Sequence, residues 1–192
     1  SRLVITTDTM IEGRHFKREF TTFYELGIKL MSVNLSDLAA MGATPAAATV
    51  SLQLPGDLAG EDVEALYRGL AAAPGAIQVV GGDTVQSATL AFGLTAFGWV
   101  TRPILRSAAC IGDDIWVSGP VGGGGLGLAI CRGEVDPSTL PDSGSAALQR
   151  YRTPTARTEL GVQLAGVATA AIDVSDGLLQ DLGHIAGLSG VD

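Results

Sequence analysis

The sequence predicts a mixed α/β fold, and three observations support this class. Short apolar runs rich in β-branched residues alternate along the chain with longer segments whose apolar residues recur at helical spacing. Glycine and proline mark the ends of several of these segments. The composition is rich in alanine, glycine and valine, and only 5% of the residues are aromatic, as is common in α/β enzymes. With 192 residues the chain has ample material for a core.

The first half of the chain is predicted to run β-α-β-α-β-β, a mixed layered arrangement. Its clearest element is a helix over 23–41, in which apolar residues recur at helical spacing and which Gly42 is well placed to end. Before it we expect a strand over 3–6 and a loop over 8–15. After it we expect a strand over 46–54, a turn at 55–56, a helix over 61–73, a strand over 77–80 that runs into a turn at 81–84, and a strand over 89–100.

The second half is predicted to form a separate domain. A break near Arg102 and Pro103 suggests a boundary at about residue 109, which gives an N-terminal domain over 1–109 and the first part of a C-terminal domain over 110–192. In this half we expect a strand over 115–117, a glycine-rich turn over 122–127 leading into a short helix, a loop over 133–144, a helix over 157–165, a strand over 171–174 and a helix over 178–188.

Charge and cysteine content limit the classes of function. The net charge is −8 and the pI about 4.6, so nucleic-acid binding is not expected as the main role. Acidic residues can still bind phosphates through divalent metals. Cys110 and Cys131 lie far apart and are predicted to be ordinary thiols in a reducing compartment. Without a bilayer-spanning apolar run or a secretory signal, a soluble cytoplasmic protein is expected, and the Ser-Arg start suggests the middle of a longer chain.

Four short acidic motifs are the candidates for chemistry. They are TTDT at 6–9, NLSD at 34–37, GGDT at 81–84 and DVSDG at 173–177. Mg²⁺ needs only one or two carboxylates when phosphate oxygens and water complete its shell, so aspartates on several loops can hold several ions against one polyphosphate. For any single motif, a helix cap or a turn is the more usual explanation of the residues. Asp37 lies inside a predicted helix, where capping explains it poorly, and the combination favours a magnesium site.

Other polar residues are less specific. His15 follows the first acidic motif and is either structural or functional, and Asp181 with His184 is interpreted as a surface pair or cap contact. Arg106 could reach a phosphate with two hydrogen bonds or could be simply solvated. The run from Gly122 to Gly127 fits a dinucleotide pattern, but the expected acidic residue is missing. A tight strand-to-helix turn, with a backbone role near phosphate, is the preferred interpretation.

These motifs, taken in order, closely resemble the thiamine-monophosphate kinase family. The most specific blocks are NLSDLAAMGA at 34–43 and DVSDGL at 173–178, and TDT at 7–9, GGDT at 81–84 and LRS at 105–107 continue the match. The resemblance implies a fold like the aminoimidazole-ribonucleotide synthetase superfamily, in which N-terminal domains of two subunits share a β-barrel and ATP binds between domains. It also implies a homodimer that phosphorylates thiamine monophosphate with ATP by direct in-line transfer.

The resemblance also implies a role for individual residues of this chain. Several Mg²⁺ ions would be held, and their ligands would be Thr6, Thr7, Asp8, Asp37, Asp83, Asp173 and Asp176. Contacts to ATP, the co-substrate, would come from Tyr67, Gly82, Asp83, Arg106 and Ser175. His15 would contact thiamine monophosphate. No general base is assigned, because the acceptor phosphate is already an anion.

Three departures from the family pattern leave alternatives open. The family has a Gly-Asp-Asp motif before the first strand, and a Gly-Gly-Glu-Asp motif and a late aromatic residue beyond the last helix, which this sequence does not contain. Relatives usually show Gly-Asp-Ser where this chain has its run at 122–127. The alternatives are another ATP-using member of the superfamily, of the cyclo-ligase or selenophosphate synthetase type, and an inactive core that folds and dimerises.

Overall fold

A computed structural model of the chain describes residues 1–191. The described strands form one four-stranded mixed sheet in the order β1-β4-β2-β3. The pairs β1–β4 and β4–β2 are antiparallel, and β2–β3 is parallel. The strands are β1 (Arg2–Ile11), β2 (Thr44–Leu54), β3 (Gln78–Gln86) and β4 (Ala91–Val100). The predicted mixed α/β class and the order of the first six elements are confirmed.

Two helices cover one face of the sheet. Helix α1 (Phe23–Ala40) begins at a capping box in which Thr22 and Glu25 bond each other's backbone amides, and Gly42 follows its end with a φ of 69°. Helix α2 (Gly60–Ala72) packs on α1 through two glycines. A Cβ on Gly27 would overlap the Leu66 carbonyl of the other helix, and a Cβ on Gly69 would overlap the Tyr24 carbonyl. The glycines therefore allow the two helix backbones to touch.

The core lies between α1 and the covered face of the sheet. On β2 and β4 the inward residues alternate with outward ones, as the two-residue period of a strand requires. Among residues 1–191 no helix covers the opposite face, and its side chains are more accessible. The largest fully buried side chains include Phe92, Leu94, Val50, Leu26 and Leu35.

Two helices of the second half pack onto α1. The elements of this half are α3 (Gly123–Cys131), α4 (Ser145–Arg152), α5 (Thr158–Leu164) and α6 (Leu178–Ser189), with two short 3₁₀ turns at Pro137–Thr139 and Pro141–Gly144. The Arg152 Nε donates to the Phe20 carbonyl at 2.8 Å, and the Lys29 ammonium lies 4.2 Å from the centre of the Tyr151 ring. Gly161 of α5 lies directly against the backbone of Ala39. Helix α4 had not been expected from the sequence.

Two predicted strands in the second half are wrong. Residues 115–117 and 171–174 form no strand within the described chain, although Leu105 and Ala170 make one isolated bridge. Trp116 is 88% exposed and Ile115 68% exposed. Apolar β-branched residues become strands where a neighbouring strand and a buried face receive them, and at 115–117 the described residues supply neither.

Two predicted loops in the first half are also wrong. β1 continues through Asp8 to Ile11, and the GGDT motif lies inside β3 rather than in a turn after it. The polar residues of both segments are strand residues because β4 and β2 supply backbone partners along their full length. None of the helices in residues 1–191 has the length and apolar character needed to cross a membrane.

Candidate functional site

Strand β1 distributes the first acidic motif over both faces of the sheet. Thr6 and Asp8 point toward the face covered by α1, and Thr7 and Thr9 point toward the open face. This follows from the registration of Asp8 opposite the buried Leu94. The two faces therefore present two different polar surfaces.

Asp37 meets β1 on the covered face. It lies near the C-terminal end of α1, and the Thr6 hydroxyl donates a hydrogen bond to its Oδ2 at 2.5 Å. Burial raises the pKa of Asp37 above its usual value, the Thr6 hydrogen bond lowers it, the charge of Asp8 raises it, and Arg106 lowers it. Asp37, Asp8 and Arg106 therefore interact electrostatically in one partly buried region.

Asp8 and Asp173 belong to the same region. Burial raises the pKa of Asp8, the charge of Asp173 raises it further, and His15 opposes both effects. Burial likewise raises the pKa of Asp173, with Asp37 adding to it and the neighbouring Ser36 hydroxyl favouring the charged form. The structure thus brings together three aspartates that lie at least 29 positions apart in sequence, from β1, α1 and the loop before α6.

Arg106 is held beside this cluster by backbone contacts. The Ala171 amide donates to the carbonyl of Leu105 at 3.3 Å. At the C-terminal end of α6, the Ser189 hydroxyl donates to the Arg106 carbonyl at 3.2 Å and accepts from the Ala109 amide at 3.2 Å. These contacts tie the linker that carries Arg106 to the segment that carries Asp173.

The three aspartates suit a cation that is shared with a ligand. Within residues 1–191 no group of three or more His, Cys, Asp or Glu side chains is arranged to hold a metal ion by itself. Asp8 nevertheless lies two residues along β1 from Thr6, which bonds Asp37, and the pKa of each of Asp8, Asp37 and Asp173 is raised by the charge of another of the three. Hard carboxylate oxygens in a partly buried, like-charged cluster fit Mg²⁺ bound mainly through phosphate and water, with one or two carboxylates per ion.

The loop over 173–177 is organised by a residue that the sequence interpretation misjudged. Asp181 is only 2% exposed, and its Oδ2 accepts the amides of Ser175 at 2.9 Å, Asp176 at 3.1 Å and Gly177 at 3.1 Å. The interpretation of a surface pair with His184 is therefore wrong, and the cap-type contact is what the structure has. A signal was present, since Asp181 lies on the helical stripe of Leu178, Leu182 and Ile185.

Asp83 lies on the other face of the sheet. Across the strands it lies in register with Ser51, Gly93 and Thr9, at positions that face the open side. Gly82 lies in register with the buried Val50. A cleft of about 310 Å³ covers this open face, and Asp83 and several hydroxyl side chains line it: Thr7, Thr9, Thr49, Ser51 and Thr95. Within one chain the sheet therefore separates Asp83 from Asp8.

The other candidates are placed as follows. Gly82 lies where any Cβ would overlap the Val50 backbone, so close strand packing alone requires a glycine there. His15 is near Asp8, and its Nδ1 accepts the Ile11 amide at 3.0 Å. Tyr67 is 40% exposed on α2. That helix contacts α1 at Gly27, ten residues before Asp37, which is about 15 Å along the helix axis.

Ser175 and Asp176 lie in the loop over 173–177. The Asp176 carboxylate accepts the Gln180 side-chain amide at 3.1 Å. Ser175 and Asp176 are exposed. The glycine-rich run begins α3 with Gly122 at a φ of 85°, so the turn into a helix is present, but the strand predicted before it is not found among residues 1–191.

Comparisons with known proteins identify a family and several relatives of this chain. The family model described as AIR synthase related protein, N-terminal domain, matches residues 1–100. A thiamine-monophosphate kinase of Salmonella typhimurium is 39% identical over 98% of this chain and 58% of its own length. Since that share is less than two thirds, the chain spans only part of the relatives it matches.

Solved structures match the same part of the chain. The crystal structure of thiamine-monophosphate kinase from Stenotrophomonas maltophilia K279a is 42% identical, with a TM-score of 0.87 over 98% of this chain and 61% of that one. A structure of AaThiL complexed with AMPPCP and TMP is 36% identical, with a TM-score of 0.91 over 98% of this chain and 60% of that one.

Proposed function

The chain belongs to the AIR synthase related family, and we propose that it forms the larger part of a thiamine-monophosphate kinase that uses ATP and Mg²⁺. The observation that carries the proposal is the meeting of Asp8, Asp37 and Asp173 beside Arg106. AaThiL, 36% identical to this chain, has been solved with AMPPCP and TMP. The expected product is thiamine diphosphate.

The proposed chemistry is in-line transfer of the γ-phosphoryl group. An anionic oxygen of the acceptor phosphate forms a bond to the γ-phosphorus, while the bond from that phosphorus to the β–γ bridging oxygen breaks. ADP leaves with the electron pair of that bond. Since the attacking oxygen carries no proton at neutral pH, a strong general base is not required, and catalysis depends on positioning and on charge stabilisation.

The main obstacle to this reaction is repulsion between two phosphate-bearing reactants. Asp8, Asp37 and Asp173 would hold Mg²⁺ on the covered side of the sheet with Thr6 assisting, Thr7 would assist from the open face that it shares with Asp83, and Asp176 would hold a further ion. Bound Mg²⁺ supplies positive charge that neutralises the phosphates. Holding several carboxylates near one another in partly buried surroundings favours uptake of such a cation, because the cation relieves their mutual repulsion.

Other side chains would position the two substrates. The Arg106 guanidinium can bond two phosphate oxygens of ATP at once. Ser175, Gly82 and Tyr67 are proposed as further ATP contacts, and His15, beside Asp8, as the contact to the phosphate of thiamine monophosphate. Together they would bring the acceptor oxygen into line with the γ-phosphorus.

We also propose that the protein works as a homodimer. β1 and β3 are the two edge strands of the described sheet, so each has one unpaired side within residues 1–191. Pairing of β3 in one copy with β1 in the other would close two sheets into the expected β-barrel. Asp83, on β3, would then lie beside the partner copy's β1, close to the junction of the two chains.

The remaining parts of the proposal concern the context of the enzyme. We propose a domain boundary at about residue 109, with the site between an N-terminal part over 1–109 and a C-terminal part over 110–192. Its partners would be small phosphate compounds in the cytoplasm, without nucleic acid or membrane. The net charge of −8 supports this, since it disfavours binding to polyanions that carry no metal.

The test is a kinase assay on the full-length protein. Mg-ATP and thiamine monophosphate should give ADP and thiamine diphosphate in equal amounts, measured by chromatography. A panel of other phosphate and carboxylate acceptors should release little ADP. Absence of thiamine diphosphate with a folded protein, or preference for another acceptor, would overturn the proposal.

Variants test the metal assignment in the same assay. Asp37→Asn and Asp83→Asn should abolish turnover while leaving the fold intact, as judged by circular dichroism. Asp136→Asn is the matched control, because Asp136 accepts one local amide at 2.9 Å in an exposed turn. Near-normal activity in both site variants would refute the metal assignment.

A further inference from the structure

In the loop over 173–177, backbone amides converge on one position, and a side chain of the same protein already occupies it. Three successive amides, those of Ser175, Asp176 and Gly177, all point at one oxygen of Asp181. Successive amides converging in this way, just before a helix, normally form a binding place for a phosphate or another anion. Here the anion is part of the chain itself, and it is only 2% exposed.

The backbone of the loop is shaped to make this contact. Gly177 has a φ of 126° and a ψ of 147°, a conformation open essentially only to glycine. In that conformation its amide joins the other two at the Asp181 carboxylate. The opposite side of the loop is exposed, and there Gln180 donates to Asp176 at 3.1 Å. The inner side of the loop is therefore closed to a ligand, and its outer side presents side chains.

We propose that Asp181 is a positioning residue, whose carboxylate binds the three amides of the 173–177 loop and holds the metal-binding side chains of that loop in place. It follows that Ser175 contacts ATP through its hydroxyl and not through its amide, which is already used. The inference rests on the proposed function for the identity of the ligand. The hydrogen bonds between the Asp181 carboxylate and the three amides do not depend on that function.

The first experiment uses the unaltered protein and needs no activity. Hydrogen exchange of the amides at 175–177 is measured by NMR or by mass spectrometry with fragmentation at single-residue resolution. These amides should exchange at least about tenfold more slowly than expected for an unstructured loop of the same sequence, because each is bonded to a buried carboxylate. Exchange at the unstructured rate would overturn the inference, whatever the enzyme's substrate proves to be.

The second experiment compares Asp181→Asn with Asp136→Asn. Asp181→Asn removes the negative charge that the three amides of the loop bind, and Asp136→Asn makes the same change in an exposed turn. Asp181→Asn should speed exchange at 175–177 and raise the half-saturating Mg²⁺ concentration of the kinase about tenfold, since charge-assisted hydrogen bonds are roughly twice as strong as neutral ones. The turnover of fully Mg²⁺-saturated enzyme should change much less.

This division of effects separates positioning from a general loss of stability. If Asp181 were merely structural, its replacement would reduce the fraction of folded enzyme and leave the half-saturating Mg²⁺ concentration unchanged, and that result would overturn the proposal. Mn²⁺ binding, followed by electron paramagnetic resonance, gives the same comparison without catalysis. A protein that binds Mn²⁺ with the expected difference but makes no thiamine diphosphate would refute the proposed function and leave this inference standing.

A last variant tests the role assigned to the Ser175 hydroxyl. Ser175→Ala keeps the amide and its bond to Asp181 but removes the hydroxyl. The KM for ATP should rise several-fold, with normal protection of the amides at 175–177. An unchanged KM would contradict the assignment of ATP binding to this side chain.

Discussion

The Thr6 hydroxyl on β1 donates a 2.5 Å hydrogen bond to the Asp37 carboxylate on α1. The two residues are 31 positions apart, and the contact joins the first strand to the end of the helix that covers it. Because Asp8 lies two residues further along the same face of β1, the bond also sets where Asp37 lies relative to Asp8. One hydroxyl thus links the framework of the fold to the acidic cluster.

Replacing Thr6 by valine should disturb this cluster without changing side-chain volume. The Thr6 hydrogen bond lowers the pKa of Asp37, so its loss should raise that pKa further and move the acidic limb of the activity profile to higher pH. We expect kcat/KM to fall about tenfold or more, as for loss of a hydrogen bond to a charged group. The measurement is a pH–rate profile of kcat/KM.

The control for this variant is Thr153→Val. Thr153 donates to the Gln149 carbonyl at the end of α4, so the same change is made far from the cluster. Its pH–rate profile should match that of the unaltered protein. An unshifted acidic limb in Thr6→Val would show that the hydrogen bond does not set the ionisation of Asp37.

The acidic cluster should make the metal-free protein less stable at neutral pH. Burial raises the pKa values of Asp8, Asp37 and Asp173 above 3.8. In the window between that value and the raised ones, the folded state binds more protons than the unfolded state. Stability from these groups is therefore greatest at low pH and is lost as pH rises through the raised pKa values.

Asp37→Asn should consequently stabilise the protein in EDTA near neutral pH. We expect Tm to rise by about 2–4 °C, the shift that about 1 kcal/mol produces in a domain of this size, and the gain should shrink toward about pH 4. With saturating Mg²⁺ the unaltered protein should have the higher Tm of the two, because only the unaltered cluster binds the ion well. Thermal unfolding across pH, with and without Mg²⁺, tests both statements. A variant less stable than the parent in EDTA at neutral pH would contradict them.

The separation of Asp83 from Asp37 by the sheet gives a test of shared sites. If each site combines Asp37 from one copy with Asp83 from the other, mixing Asp37→Asn and Asp83→Asn subunits should restore activity from two inactive proteins. Random mixing should recover about a quarter of full activity, because half of the dimers are mixed and each mixed dimer keeps one intact site. Each variant mixed with itself provides the control.

The outcome distinguishes the two arrangements plainly. Sites built from a single chain would show no recovery, since every chain in the mixture carries one substitution. Subunit exchange is followed in parallel by mass spectrometry, so that mixed dimers are known to be present. Failure of fully mixed dimers to recover activity would refute the contribution of Asp83 across the dimer.

The contact between α1 and α2 should not tolerate a methyl group at Gly69. A Cβ there would overlap the Tyr24 carbonyl, which is backbone and cannot rotate away. We expect Gly69→Ala to lower the free energy of unfolding by about 1–3 kcal/mol, the usual effect of overpacking. Urea denaturation gives this quantity directly.

Gly187→Ala is the matched control for this packing. Gly187 lies inside α6, and among residues 1–191 no atom outside the adjacent backbone of that helix lies within 4 Å of the added methyl group. Alanine is the better helix former by about 0.8–1.0 kcal/mol, so this variant should be more stable than the parent. Equal effects of the two substitutions would show that the helix contact is not the cause.

Much of the first half could be predicted from local pattern. Helix α1 has apolar residues at helical spacing, a capping box at Thr22 and Glu25 and a stop at Gly42, so its ends are marked in the sequence itself. β1 was predicted too short, because its polar residues become strand only through pairing with β4. The strand predicted at 115–117 is wrong for the converse reason, because this run of β-branched and aromatic residues has no partner strand among residues 1–191.

The candidate site was predicted as a set of residues but not as an arrangement. The acidic motifs drew attention to Asp8, Asp37, Asp83 and Asp173 because each combines a carboxylate with small neighbours. No spacing along the chain could indicate that Asp83 lies apart from the other three, and Asp181 was missed as an anchor of the loop. Both facts depend on which surfaces the fold buries.

By itself, the sequence determined the alternation of side chains along each strand, the ends of the long helix and the residues able to hold a phosphate-bound cation. Those are local properties, set by the two-residue period of strands, the 3.6-residue period of helices and the chemistry of carboxylates. Only the tertiary structure decided which face of the sheet α1 covers, and therefore that Thr6 and Asp8 meet Asp37 while Asp83 faces the opposite side. The reason is physical: sheet order, register and helix packing are fixed by contacts between distant segments.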